Sequence, residues 1–407
     1  MTKRIAAIVF IYLCITFAWV ILGTTLSIRT STQDSNLKGM VGQIWGKPQQ
    51  QRAPSVSYST PKEVWSEVTN DGKTTREKRT EWKTTPVSLD ASNILVDLNL
   101  EHRQKGLLWY STYKVGFDGT YRLLNDTQES KTYDFNFSLP VQDAVYDGFK
   151  IYKGDQEIKN VEITSGNAHV RVPLTPGQTE IVRVVYHSQG MDNWWYNLGG
   201  EVSQIRNFSL KMKTDFEDID FPENSMAATS QIKTPQGREL AWKYSNLLSG
   251  VQIGMTMPKK LNPGPWASKI SFAAPVSLFL FFFLLLIFST LKEIKLHPMH
   301  YFFIGAAFFS FHLLLAYLVD HLSIHLAFLI CSAVSIFLVV SYMRLVTGNR
   351  FAFLEVGVSQ FVYLVLFSYT FFFEGFTGLV ITVMCIITLF IVMQMTAKLD
   401  WPQVFKK

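Results

Sequence analysis

The 407-residue chain is short of charged residues and of cysteine. Charged residues make up 17% of it, whereas about 25% is usual in soluble globular proteins. Residues 269–407 carry only 13 of them, and 48% of the whole chain is hydrophobic. The shortage of charge excludes a wholly soluble protein and predicts membrane-spanning segments, most of them in the C-terminal third.

The three cysteines, Cys14, Cys331 and Cys385, all lie in apolar stretches. The long polar stretch after the first of them has none, which excludes a disulfide framework there. That stretch is long enough to bury a hydrophobic core without disulfides. Because a cysteine in an apolar run usually packs as a small apolar side chain, we expect neither a metal nor another cofactor.

Six apolar runs are each long enough to cross a bilayer, because about 20 helical residues span its ~30 Å hydrocarbon core. They are Ile5–Leu26, Ile270–Leu291, His300–Val319, Ser323–Met343, Ala352–Phe373 and Phe376–Thr396. These runs predict an N-terminal anchor over residues 1–29, a five-helix bundle over residues 267–397 and a cytoplasmic tail over residues 398–407. The first run exceeds the apolar part of a cleaved signal peptide, which favours an uncleaved anchor.

The basic residues beside these runs predict the orientation, because Lys and Arg remain on the cytoplasmic side. With the N-terminus inside, nine basic residues flank the spans there: Lys3, Arg4, Lys292, Lys295, Arg344, Arg350, Lys398, Lys406 and Lys407. The short outer loops have none. We therefore expect both termini in the cytoplasm and the segment between the first two spans in the periplasm. The same residues account for most of the formal charge of +6, so nucleic acid is not implied.

Residues 30–266 predict one all-β periplasmic domain. Short stretches of alternating apolar and polar residues, separated by turn formers, are typical of an antiparallel sandwich. The candidate strands are Asn93–Glu101, Leu107–Val115, Thr132–Leu139, Phe149–Lys153, Ala168–Val172, Glu180–His187, Arg206–Lys213, Glu239–Ser245 and Gln252–Met257. Residues 30–85 are polar and contain Pro48, Pro54 and Pro61, which predicts an irregular approach segment. The predicted fold class is thus six transmembrane helices plus an all-β, antiparallel, sandwich-like domain.

Several stretches resemble the CreD family of inner-membrane proteins. Near the first span are Trp45, Gly46 and Gln49, and the outer segment contains the run Arg103–Tyr113. The bundle adds three further stretches, which are Leu296–Tyr301, Asp320-His321 and the closing Asp400-Trp401. Asp320 stands where the family usually has Glu. The resemblance implies an inner-membrane protein linked to cell-envelope integrity, and it implies no catalytic residue.

Ionisable side chains in the spans are costly, so each is a candidate functional residue. The candidates are His297, His300, His312, Asp320, His321, Glu355 and Glu374. A proton relay from His300 through His312 to Asp320 and His321 is one reading, and hydrogen bonding between helices is the other. His321 and His325 have the i, i+4 spacing of a metal-binding pair, but no third ligand lies nearby. Glu355 is expected to pair with Arg350 or Arg344.

The run Trp194-Trp195-Tyr196 is the candidate ligand contact of the outer domain. Aromatic faces beside amides suit stacking on sugar rings, as in a peptidoglycan contact, but they equally suit core packing or a membrane-interface rim.

No nucleophile elbow, phosphate-binding glycine loop or carboxylate pair is apparent in the sequence. We therefore expect a non-enzymatic inner-membrane protein that maintains envelope integrity or acts in envelope stress. The two alternatives are a proton-coupled transporter or channel and a periplasmic glycan-binding sensor. The expected partners are the lipid bilayer and, in the envelope, other proteins or peptidoglycan.

Overall fold

A computed structural model describes residues 2–70, 73–199, 203–373 and 375–397. These residues fall into two compact units. The bundle unit lies within residues 1–36, 106–108 and 261–407, and the β unit lies within residues 37–105 and 109–260. Glu374, Asp400 and Trp401, all named as candidates above, are outside the described residues.

Six helices in the described residues are long and apolar enough to cross a membrane, which confirms the predicted number. They are α1 (Thr2–Trp45), α2 (Pro263–Leu291), α3 (Pro298–Leu318), α4 (Ile324–Thr347), α5 (Phe351–Phe372) and α6 (Thr377–Thr396). Helix α1 continues well beyond the predicted end at Leu26. No proline interrupts it before Pro48, and it ends where Gly46 adopts a positive φ of 111°, as glycine commonly does after a helix.

Helix α5 departs from regular α geometry. It contains two π-helical segments, Phe351–Gly357 and Phe361–Leu366, and it ends in the 3₁₀ turn Thr370–Phe372. A π turn shifts backbone hydrogen bonds from i+4 to i+5, and the Ser277 hydroxyl donates to the carbonyl oxygen of Tyr363 at this level. A side chain of α2 therefore enters the hydrogen-bond ladder of α5.

The β unit contains sixteen strands in its described residues. They are β1 (Gln49–Arg52), β2 (Ser55–Asn70), β3 (Lys73–Val87), β4 (Ala91–Lys105), β5 (Leu108–Leu124), β6 (Lys131–Ser138), β7 (Tyr146–Lys153), β8 (Gln156–Glu157), β9 (Glu162–Thr164), β10 (Asn167–Leu174), β11 (Thr179–Met191), β12 (Asn193–Asn197), β13 (Ser203–Thr214), β14 (Ser230–Thr234), β15 (Gly237–Ser249) and β16 (Ile253–Thr256).

Two large sheets face each other across one core. The first has the order β14-β15-β13-β4-β5-β11-β7-β8 and the second has the order β3-β2-β6-β10-β9. Side chains of both sheets meet between them, with ring centroids 5.9 Å apart for Phe117 and Phe137 and 5.8 Å apart for Tyr121 and Phe135. Alternate residues of β4, β10 and β11 are buried, as one-sided strands require. The predicted sandwich is confirmed.

A third, three-stranded sheet has the order β1-β12-β16. Strand β1 lies parallel to β12, and β13 lies parallel to β4, whereas most of the other pairs are antiparallel. These two parallel pairs join strands that are distant in sequence, which a local alternation pattern cannot reveal.

The prediction of an irregular segment over residues 30–85 is wrong. The chain there forms the end of α1, strand β1 and the long hairpin of β2 and β3. The hairpin joins the second sheet only through Ser55–Tyr58, which pair with β6. Beyond Tyr58 the two strands pair only with each other in the described residues, so Pro61 blocks no hydrogen bond to a third strand.

We expect a fragment of residues 46–260 to be β-rich by circular dichroism and to melt cooperatively. A shorter fragment, residues 85–258, lacks β1 and β2 and leaves β12 and β6 with unpaired backbone groups, so it should aggregate or lose at least about 2 kcal/mol of unfolding free energy. The control fragment joins Ser59 to Thr84 through an Asn-Gly turn and removes only residues 60–83. It should melt like 46–260, and equal midpoints for all three fragments would contradict the role given to β1 and β2.

Candidate functional site

His312 is a buried packing residue between α3 and α1. Its Nδ1 lies 3.3 Å from the carbonyl oxygen of Phe308, one turn earlier on the same helix. Its ring meets the ring of Trp19 edge to face at 5.3 Å and that of Phe311 at 4.9 Å. Within the described residues, His312 Nε2 and Trp19 Nε1 have no hydrogen-bond partner. Because the Phe308 carbonyl oxygen can only accept, Nδ1 donates to it, and a neutral imidazole protonated on Nδ1 suits these apolar surroundings.

His297 and His300 stabilise the N-terminal end of α3. His297 precedes the helix, and its Nδ1 accepts a hydrogen bond from the Met299 amide at 3.2 Å. His300 Nδ1 lies 2.7 Å from the hydroxyl of Tyr342 on α4. The first histidine therefore caps α3, and the second joins α3 to α4.

Asp320 holds α1 against the bundle. Its carboxylate lies 2.5 Å from the guanidinium of Arg29, and the Asp320 side chain is 14% exposed. Its neighbour His321 is exposed, and His325 stacks on Phe372 with ring centroids 4.8 Å apart. Arg29 was not among the predicted residues, because it lies 291 residues from Asp320 and the sequence around it does not indicate this partner.

No continuous proton path joins these groups in the described ranges. His300 is bonded to a tyrosine, His312 to a carbonyl of its own helix and Asp320 to an arginine. The same residues contain no cluster of three His, Cys, Asp or Glu side chains that could hold a metal ion. The relay drawn from the sequence is therefore not assembled in this conformation.

Glu355 and Gln360 bring polar contacts into α5. Glu355 pairs with Lys292, rather than with Arg350 or Arg344 as expected, because α2 ends beside the start of α5. The Gln360 amide donates to the Ser335 hydroxyl at 2.9 Å, and that hydroxyl donates to the Ala307 carbonyl oxygen at 2.8 Å. This chain of hydrogen bonds connects α5, α4 and α3.

The family-like residues around the end of α1 form one structural junction in the β unit. A β-carbon at Gly46 would lie 2.2 Å from the carbonyl oxygen of Gln189, and the φ there is positive, so only glycine fits. The Arg103 guanidinium lies 3.4 Å from the Trp45 ring centroid. Two stretches that are far apart in sequence thus meet in a cation–π contact.

Arg103 also pairs with Glu101, whose other oxygen lies 2.7 Å from the Lys114 ammonium. The hydrogen bond from Lys114, supported by Arg103, lowers the pKa of Glu101, partly against the effect of burial. The cation over Trp45 is therefore anchored by a carboxylate that stays charged.

Gln49 and Gln51 are fully buried amides on β1. Gln49 Nε2 donates to the Ser188 hydroxyl at 2.9 Å and to the Gln189 carbonyl oxygen at 2.8 Å. Gln51 Oε1 accepts from the Tyr186 hydroxyl at 2.8 Å. Burial raises the pKa of Tyr186 well above its usual value, so this phenol remains a donor. The amides attach β1 to the sandwich.

Trp194 and Tyr196 are fully buried core residues, so the prediction of a ligand contact is wrong for them. They alternate along β12 and face inward, stacked with ring centroids 6.4 Å apart. Trp195 points to the other side and is half-buried beside Gly254 and Pro222. Core packing, the alternative interpretation, holds for Trp194 and Tyr196, because a two-residue period places both side chains on the core side.

A polar groove of about 540 Å³ crosses the solvent face of the eight-stranded sheet. Its lining includes Asp97, Asp147, His187 and Lys213, and Gly116 leaves room beside the His187 ring. The pairing of β11 with β7 is irregular between Val185 and His187, and such bulges redirect side chains. The sequence did not predict this groove, because its lining residues come from separate strands.

Six bilayer-crossing helices with an all-β extramembrane unit define an integral membrane protein. Residues 271–402 match the family model described as inner membrane protein CreD. The resemblance stated above is thereby confirmed over these residues, which are similar to the CreD family of inner-membrane proteins. Together with the six apolar helices, this match supports a multi-pass inner-membrane protein.

A search among curated proteins gave no match. Among solved structures, a candidate nutrient-binding protein from Legionella pneumophila is 9% identical, with 46% of this chain and 72% of that one covered and a TM-score of 0.30. A two-domain M1 zinc metallopeptidase bound to L-tryptophan is 10% identical, with 42% and 43% covered and a TM-score of 0.25. The M1 zinc metallopeptidase from Deinococcus radiodurans is 10% identical, with 42% of each chain covered and a TM-score of 0.23. These scores are too low to define a shared fold or activity.

The Arg29–Asp320 pair yields a direct test. Asp320→Asn leaves a half-buried arginine without its counter-charge, so we expect a loss of about 1–3 kcal/mol, measured as a lower melting temperature of the detergent-solubilised protein. The charge-swapped double variant Arg29→Asp/Asp320→Arg should recover part of that loss. His321→Asn changes an exposed neighbour and should have little effect. If the double variant loses as much stability as Arg29→Asp and Asp320→Arg lose in sum, the two residues do not stabilise the protein as a pair.

Proposed function

We propose that this chain is a non-enzymatic inner-membrane protein that maintains envelope integrity, or acts in envelope stress, by binding another envelope protein through its β2–β3 hairpin. The observation that carries the proposal is a pair of tryptophans on that hairpin. Trp65 is 64% exposed and Trp82 is 68% exposed. The part of the hairpin that bears them, Ser59–Thr85 in chain order, is here called the arm.

The two tryptophans share one face of the arm. Trp82 is paired with Pro61, and Trp65 is paired with Lys78. Paired residues point to the same side of a sheet, so Trp82 shares the side of Pro61. Pro61 and Trp65 are four positions apart, so they also share a side. Both indoles therefore project from one face, at positions about 13 Å apart along the strand. An aromatic face of this kind on a two-stranded ribbon has no core of its own to cover it.

A protein partner suits this face better than a sugar. Tryptophan is enriched among the residues that dominate the energy of protein interfaces, and such residues are usually surrounded by a polar rim. The Glu63–Lys78 ion pair supplies that rim beside Trp65. A peptidoglycan ligand, the alternative for an exposed aromatic pair, is one outcome of the experiment below.

The proposed orientation places the β unit in the periplasm and both termini in the cytoplasm. The support is the distribution of Lys and Arg, nine of which flank the spans on one side while the short loops on the other side have none. On that side of the membrane the arm is available to envelope proteins.

We expect Trp65→Ala/Trp82→Ala to remove envelope protection in cells that depend on this chain, without loss of protein. Both side chains are exposed, so the unfolding free energy of the β unit should change by less than about 0.5 kcal/mol each. Protection is measured as exclusion of a large hydrophobic dye, and the protein level by immunoblot. The matched control is Val145→Ala/Leu248→Ala, which shortens two equally exposed apolar side chains elsewhere on the β unit.

A photo-reactive residue at Thr80, which is exposed and is paired with Glu63 on the tryptophan face, identifies what the arm binds. A protein adduct that disappears in the tryptophan double variant and persists in the control variant supports the proposal. An adduct whose size falls after muramidase treatment would assign the arm to peptidoglycan instead. Full dye exclusion by the tryptophan double variant would overturn the proposal.

Orientation is measured with single cysteines in a chain whose three native cysteines are replaced by alanine. Asp155→Cys lies in an exposed turn of the β unit, and Asn349→Cys lies in the exposed link between α4 and α5. A membrane-impermeant maleimide should label the first but not the second in cells with a permeabilised outer membrane. The reverse pattern would invert the orientation.

A further inference from the structure

A groove of about 620 Å³ opens on the surface of the bundle unit between α4 and α5. Its lining includes Ala333, Phe337, Ser341 and Arg344 of α4, with Gly357 and Phe361 of α5. Phe337 is 70% exposed and Phe361 is 46% exposed, so the walls stand open rather than packed against another helix. The groove is apolar along most of its length, and its one basic side chain is that of Arg344.

The length of the groove matches one leaflet. Ala333 and Arg344 are eleven residues apart on a regular helix, which corresponds to about 16 Å. Half of a ~30 Å hydrocarbon core has nearly the same depth. Because Arg344 lies in the last turn of α4, the guanidinium is placed at the headgroup end and Ala333 near the bilayer centre.

Gly357 gives the groove its depth. A β-carbon at this position would lie 3.3 Å from Val340 Cγ2 and 3.3 Å from the Ala352 carbonyl oxygen, which is tighter than ordinary contact. Gly357 ends the first π-helical segment of α5. A larger residue here would press on α4 and narrow the space between the two helices.

Arg344 has no carboxylate partner in the described part of the chain, in contrast to Arg29 and Lys292, which pair with Asp320 and Glu355. A guanidinium at headgroup depth binds phosphate well, because its planar donors match phosphate oxygens. An apolar channel of one-leaflet length that ends in such a cation is complementary to a lipid with a negative headgroup.

We propose that this groove binds one anionic phospholipid, with an acyl chain between α4 and α5 and the phosphate on Arg344. The acyl chain contributes apolar burial. The Arg344 guanidinium favours an anionic headgroup over a zwitterionic one, in which a quaternary ammonium offsets the phosphate charge. A transmembrane helix of another protein would fill the apolar part but would need an acidic residue at the level of Arg344.

The test uses the full-length protein, purified in dodecyl maltoside and stripped of lipid, with phosphatidylglycerol as the probe and phosphatidylcholine of the same chains for comparison. Native mass spectrometry should show one phosphatidylglycerol retained at concentrations where phosphatidylcholine is not. Arg344→Gln should weaken phosphatidylglycerol binding about tenfold and should weaken phosphatidylcholine binding, measured at higher lipid concentration, by clearly less. The matched control Arg350→Gln removes a nearby basic residue that does not line the groove, and it should bind like the wild type.

The acyl chain is tested separately. Ser341→Leu places a larger side chain in the groove from the α4 side and should weaken both lipids. Its control is Gly378→Leu on α6, where an added side chain meets no atom within 4 Å. Three outcomes would overturn the proposal. Arg344→Gln and Arg350→Gln could weaken phosphatidylglycerol binding equally, the two lipids could bind equally well, or soluble glycerol phosphate could displace the lipid completely. Unchanged binding in Ser341→Leu would place the lipid outside the groove.

Discussion

Water does not reach the hydrocarbon core of a bilayer, so every backbone N–H and C=O group in the bundle unit needs a partner inside the protein. Regular helices meet this constraint by themselves, and most of the bundle consists of them. In helix α5 the two π-helical segments shift these hydrogen bonds by one residue. The Ser277 hydroxyl, which reaches the Tyr363 carbonyl from α2, shows how a neighbouring helix compensates. The Ser277 contact and Gly357, which lines the groove between α4 and α5, both lie at these π-helical segments.

The same constraint explains the use of ionisable residues in the bundle. Two ion pairs join separate parts of the bundle unit: Arg29 with Asp320 and Lys292 with Glu355. The one histidine in the middle of α3, His312, lies among aromatic rings and bonds only to a carbonyl of its own helix in the described residues. The two ion pairs and the contact of the His312 ring with Trp19 each join different helices.

The β unit solves a different problem, since it has to bury a core with no disulfide to restrain it. Its two facing sheets do so with aromatic and branched side chains. The buried amides of this unit form hydrogen bonds within it, Gln49 through its Nε2 and Gln51 through its Oε1. The sequence showed Gln49 to Gln51 as part of a polar, proline-containing stretch, which led to the prediction of an irregular segment. A buried amide cannot be distinguished from an exposed one until its partners, here Ser188 and Tyr186, are known.

The sequence by itself determined the six spans, the absence of disulfides in the outer domain and its alternating strands, because length, composition and two-residue periodicity are local properties. It also contained the residues that resemble the CreD family. Only the tertiary structure decided which residues meet: Arg29 with Asp320, Trp45 with Arg103, and Trp194 with the core rather than with a ligand. Such contacts join positions from 58 to 291 residues apart, and pairing over that distance depends on how the elements pack, which no short window of sequence records.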